Sequence, residues 1–196
     1  MKKLFIIMLM ALPLMCQAKG NDDSKYLKGA VPEENGIVTF RKTISVEGKS
    51  QQEIYSIMNR FVQEALIAPA IQGERTRIIS DGKADGKIVT RVEEYMVFKQ
   101  QFLNLDRTRF RYQFSVQTSD GKAELVLTQI SYYYNENMEG EAGEAYKAEE
   151  WITDAEALNK KGTKLYPRSG KFRRLTVDRV NAIFINAEDA FYKKQR

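Results

Sequence analysis

FLNLDRTRFRYQFSVQTSDGKAELVLTQISYYY, residues 102–134, alternates polar and apolar positions on either side of Asp120-Gly121. In an extended chain successive side chains point to opposite faces. Phe110, Tyr112, Phe114 and Val116 therefore share one side of the first half, and Arg107, Arg109 and Arg111 share the other. Two such runs, Phe102–Thr118 and Lys122–Tyr134, joined by Asp-Gly, read as an antiparallel hairpin.

Upstream the same pattern continues. Arg75–Ser80 and Ile88–Phe98 are strand-like, and the connections contain Asp81-Gly82, Asp85-Gly86 and Lys99–Gln101. Connections this short imply a meander. Asp81, Asp85 and Gly86 match part of a calcium loop, but Lys83 and Val92 fall where ligands are required, so the segment reads as a turn. Further upstream, Ile37–Val46 alternates Val38, Phe40, Ile44 and Val46 with polar residues, the period of a half-buried strand. Ser50 and Glu53 then form a capping box ahead of a helical stripe through Ile54, Ile57, Met58, Phe61, Val62, Ala65 and Leu66, which ends near Pro69.

Downstream comes a polar stretch rich in Gly and Glu, then a short helical piece around Trp151 and a loop from Gly162 to Gly170. A last helix is expected from about Thr176 to Tyr192, with Val177, Val180, Ile183, Phe184 and Ala187 on its apolar side. The order β-α-β-β-β-β-α predicts an α+β fold: an antiparallel meander of about five strands with two main helices on one face. The other face is left open.

The chain begins MKKLFIIMLMALPLMCQA, with Lys2 and Lys3 before an apolar run and Ala18 at a cleavage point. This is the pattern of a secretory signal, too short to span a bilayer comfortably. The expectation is a signal peptide over 1–18, a polar leader over 19–36 and a single domain over 37–196, exported to the periplasm or beyond, with no transmembrane segment in the mature chain. Lipidation at Cys16 is disfavoured by Pro13, Leu14 and Met15, because a small residue is wanted just before the cysteine. Cleavage removes the single cysteine from a sequence without histidine. What remains offers no Ser-His-Asp or Cys-His pair, no ordinary zinc site and no disulfide, and it implies no cofactor or metal. Of 31 lysines and arginines two leave with the signal, so against 26 acidic residues the charge is +3, too mild to argue for nucleic acid.

Val31-Pro32-Glu33, Val38-Thr39-Phe40, Ser50-Gln51-Gln52 and Ile54-Tyr55, together with Trp151-Ile152-Thr153-Asp154, Ala157–Lys161 and Gly170–Arg174, resemble an exported bacterial family of unknown function, domain of unknown function 4468. The resemblance spans nearly the whole mature chain. It implies a TATA-box-binding-protein-like fold and brings no activity, cofactor or catalytic residue with it.

Three groups of residues are candidates for binding. Arg107, Arg109 and Arg111 offer a basic sheet face, to be weighed against pairing with cross-strand acids such as Glu93 or Glu124. Tyr132 and Tyr134, sharing a face at a strand end, and the lone Trp151 can stack on a sugar ring or an apolar patch, or simply pack the core. Lys171, Arg173 and Arg174 precede the expected helix start at Thr176. There they either cradle an anion or pair with the protein's own acidic segment, Glu136–Glu150. The expected function is a non-enzymatic binding or interaction module whose partner is a glycan, an anion or a cell-envelope protein. The alternatives are a glycan-directed hydrolase built on paired carboxylates and a carrier of a small apolar ligand.

Overall fold

Strands form where the alternation predicts them. The computed structural model describes residues 22–101, 104–134 and 143–192; the expected signal peptide over 1–18 with Cys16, and Glu136, Glu139 and Glu141, lie outside the described residues. The strands are β1 (Glu33–Glu34), β2 (Ile37–Val38), β3 (Phe40–Ser45), β4 (Arg77–Gly82), β5 (Lys87–Gln101), β6 (Asn104–Ser119), β7 (Lys122–Tyr134) and β8 (Glu144–Lys147). β3 to β8 make one antiparallel sheet in the order β3-β7-β6-β5-β4. β8 also pairs with β7, at its far end, so β3 and β8 share one edge of β7 in tandem. The meander expected over residues 75–134 is β4 to β7, and Asp81–Gly86 lies in the β4–β5 hairpin.

The strand expected over Ile37–Val46 divides at Thr39. β2 folds back on β1 through Asn35 and Gly36, both at positive φ, which suits a two-residue hairpin. Thr39 N then donates to Pro32 O, and the chain crosses to β7 as β3.

Helix α1 (Gln51–Phe61) starts on the expected capping box: Ser50 N donates to Glu53 Oε2 at 2.8 Å, and Ser50 Oγ accepts from Glu53 N. It passes into a π-helical turn, Val62–Ile67, and together they bury Ile54, Tyr55, Met58, Phe61, Val62 and Leu66. After the short α2 (Asp154–Ala157), the last helix α3 runs Pro167–Asp189. It begins nine residues before Thr176. Pro167 occupies the first helical position, where a missing N–H costs nothing. Gly170, which read as loop, is inside the helix, where a Cβ would stand 2.9 Å from Leu165 Cβ, a contact that favours glycine.

α1 and α3 cover the same side of the sheet. Phe61 meets Phe114 edge-on, and Phe172 packs against Phe98, Tyr132 and Tyr134. Residues 22–36, read as a leader outside the domain, belong to its core: Tyr26 and Val31 are buried, and the segment is tied to α3. No helix among the described residues is long and apolar enough to cross a membrane.

Candidate functional site: the open sheet face

Register arranges the uncovered face in cross-strand rows. Arg77, Arg91 and Gln113 stand side by side; next come Glu93, Arg111 and Ser131, then Tyr95, Arg109 and Tyr133, and then Val97 and Arg107. Glu93 is the hub of this face. Its side chain is 3% exposed, with Oε1 accepting from Arg109 Nη1 at 2.8 Å and Oε2 from Arg111 Nε at 2.8 Å. Arg75 Nε lies 3.5 Å from the same Oε2. The segment 71–76 closes over it, with Ile71 N donating to Glu93 O and Glu93 N to Thr76 Oγ1.

Burial by itself pushes the Glu93 carboxyl up, but the hydrogen bonds and charges of Arg109 and Arg111 outweigh it, and the pKa lies below the usual carboxylate value. A carboxylate held ionised in this way is unsuited to the general-acid role that a glycan hydrolase needs.

Beside Glu93 the face sinks into a depression of about 420 Å³. Among the described residues four arginines line it, Arg75, Arg77, Arg91 and Arg111, with Glu74 the single acidic side chain. Gln113, Gln129 and Ser131 add amide and hydroxyl groups. Arg77 Nη1 donates to Glu74 O at 2.7 Å. Among the described residues Arg91, Gln113, Gln129 and Ser131 make no side-chain hydrogen bond or ion pair.

Of the arginines expected on this face, Arg111 lines the depression, Arg109 turns onto Glu93, and Arg107 lies over the Tyr95 ring at 3.8 Å. The anticipated acid was Glu93 or Glu124; it is Glu93, while Glu124 pairs with Lys122. The tyrosines and the tryptophan sit elsewhere. Tyr132 is fully buried, with its hydroxyl 2.7 Å from Thr176 Oγ1. Tyr134 donates to Asp106 Oδ1 and packs on Phe98. Trp151 stacks on Tyr146 with ring centres 4.2 Å apart and meets Phe172 edge-on, which anchors the long connection to the core.

The basic run before Thr176 makes no anion cradle, because α3 begins at Pro167 and the run is already helical. Lys171 Nζ donates to Asp106 Oδ2 and Tyr134 Oη, both at 2.8 Å. Arg174 forms a two-point bond with Asp23. Arg173 is wholly buried, held by Tyr26 O, Leu27 O, Ile152 O and Asp154. Their partners are mostly acids and carbonyls far from the Glu-rich stretch; from that stretch, Glu144 approaches Arg168 at 3.9 Å.

Arg75, Arg77, Arg91, Gln113, Gln129 and Ser131 did not stand out in the sequence. One signal for Gln129 is present there: Leu125 and Leu127 are followed by Ile130 and Tyr132, a skipped beat that marks an extra residue in the strand.

An antiparallel sheet carrying helices on one face defines a TBP-like α+β protein, and a solved structure of a TBP-like protein from Parabacteroides distasonis has this fold (TM-score 0.67, 19% identity, over 85% of this chain and 99% of that one). Residues 40–133 match the family described as domain of unknown function (DUF4468) with TBP-like fold. A DUF4468 family protein from Bacteroides ovatus, known from its crystal structure, is 38% identical at a TM-score of 0.81, over 90% of this chain and all of that one. The chain belongs to the DUF4468 family. No curated protein matches it. The family resemblance holds, with a six-stranded sheet in place of about five strands.

Proposed function

We propose that the chain is an exported, non-enzymatic binding module that holds an anion-bearing ligand on the open face of its sheet. One observation carries this: Arg77 and Arg91 stand directly opposite one another across β4 and β5, at the wall of a depression. Like charges in directly opposed strand positions destabilise a sheet. Glu93 neutralises the next row and leaves this pair alone. A carboxylate, sulfate or phosphate between the two guanidinium groups removes the repulsion and gains charge-assisted hydrogen bonds. The size of the depression suits a small ligand, or one unit of a larger one.

The test is the melting temperature against sulfate and acetate at constant ionic strength. The wild type gains stability with either anion, and Arg91→Ala loses that gain while folding normally without ligand. An equal response in both proteins, or none in the wild type, sinks the proposal. Export rests on the amino-terminal pattern of the sequence. Fractionation of cells, with N-terminal sequencing expected to begin near Lys19, tests it separately.

A further inference from the structure

The depression is not lined by cations alone. The β6–β7 register slips between Arg111/Ser131 and Gln113/Thr128, so two steps on β6 face three on β7, and the extra residue is accommodated at Gln129. Its φ is 52°, a left-handed conformation that glycine or asparagine adopts more readily. Ala123, Leu125 and Leu127 are buried, so an unbroken pleat would turn position 129 to the core as well. The bulge carries Gln129 to the surface, where it is exposed at the depression beside Ser131 and Gln113. Strained side-chain-bearing residues of this kind cluster at ligand clamps.

Resting on the anion-binding reading above, we infer that the ligand is a sugar acid, with its carboxylate on Arg77 and Arg91 and its hydroxyls on Gln113, Gln129 and Ser131. The choice follows from the donor and acceptor inventory. Sulfate and phosphate monoester dianions only accept hydrogen bonds and would leave the amide carbonyls of Gln113 and Gln129 unmatched. A hydroxyl both donates and accepts, so a carboxylate flanked by hydroxyls satisfies guanidinium, amide and serine together. A uronic acid has this chemistry, whether free or as a unit of a polysaccharide.

Calorimetric titration with glucuronate, galacturonate and cyclohexanecarboxylate tests it; the last has the ring and carboxylate without hydroxyls. The wild type should bind one of the uronates about tenfold more tightly than cyclohexanecarboxylate, the ratio expected for one or two net hydrogen bonds. Gln129→Gly keeps the left-handed backbone and removes the amide. It should narrow that preference severalfold, leaving the affinity for cyclohexanecarboxylate and the melting temperature without ligand no lower. Equal binding of uronates and cyclohexanecarboxylate by the wild type overturns the sugar-acid assignment and leaves anion binding standing. A preference unchanged by Gln129→Gly overturns the assignment of hydroxyl contacts to Gln129. Failure of every anion to bind overturns both readings. Tighter binding of trigalacturonate than of the monomer supports a polysaccharide source, and equal binding supports the free acid.

Discussion

Arg173 Nη2 donates to Asp154 Oδ1 at 2.6 Å, and that wholly buried guanidinium fastens the first described residues of the chain to α3. Its other hydrogens reach Tyr26 O, Leu27 O and Ile152 O at 2.6–2.7 Å. Arg173→Met removes the charge and strands Tyr26 O and Ile152 O, while Leu27 O keeps the Ala30 N–H and Asp154 keeps the Gly29 N–H. Urea denaturation should show a loss of about 3 kcal/mol or more. A loss below about 1 kcal/mol would mean that the amino-terminal segment is held by its apolar contacts instead.

The Arg77–Arg91 opposition makes a prediction of unusual sign. Most single substitutions lower stability. Arg91→Gln should raise the stability of the unliganded protein by a few tenths of a kcal/mol, up to about 1 kcal/mol at low salt. The gain should shrink as salt screens the pair. Thermal melts of both proteins at two ionic strengths check it.

Glu93 gives the protein an acid-sensitive joint. Its folded pKa lies below the ordinary value, so the stability it contributes is fully present above about pH 5 and is lost as the pH falls through the folded pKa. Glu93→Gln keeps the shape and puts a neutral amide where Arg109 and Arg111 share a carboxylate. The variant should be less stable than the wild type by about 1–3 kcal/mol at neutral pH, and the difference should shrink steadily in the acid range. A difference that stays constant down to pH 3 would show that Glu93 contributes by shape and not by charge.

Among the described residues Trp151 Nε1 is buried without a hydrogen-bond partner, while its ring stacks on Tyr146. Trp151→Phe discards the unpaired N–H and keeps an aromatic ring, so it should cost under about 1 kcal/mol. Trp151→Ala opens a cavity beside Phe172 and should cost about 3 kcal/mol. Denaturant midpoints of the two variants check the contrast, and equal losses would show that the indole nitrogen matters more than the ring.

Much of this fold is written locally. The 110–118 alternation, the Asp120-Gly121 turn and the Ser50–Glu53 box are each set by residues within a few positions of one another, and each forms as the spacing predicts. The start of α3 was obscured because Pro167 and Gly170 are loop formers by composition. One sits at the helical position that tolerates proline, and the other answers a close contact with Leu165 that no local pattern announces. The fate of Arg173 was hidden for the same reason: its partners lie some 20 and some 147 residues away. The binding face was half legible. Arg109 and Arg111 were visible as one side of a strand, but Arg77 and Arg91 join them only once the β4–β5 register is fixed, and that register follows from the whole meander.

The meander supplies the depression from residues between 74 and 131, while described residues before and after it, such as Tyr26 and Phe184, pack into the core on the opposite side of the sheet. The proposed recognition surface and the core are thus physically partitioned. The exposed groups of the depression do not pack beneath α1 and α3, so on the proposed reading its ligand preference can be rewritten by substitutions along four consecutive strands.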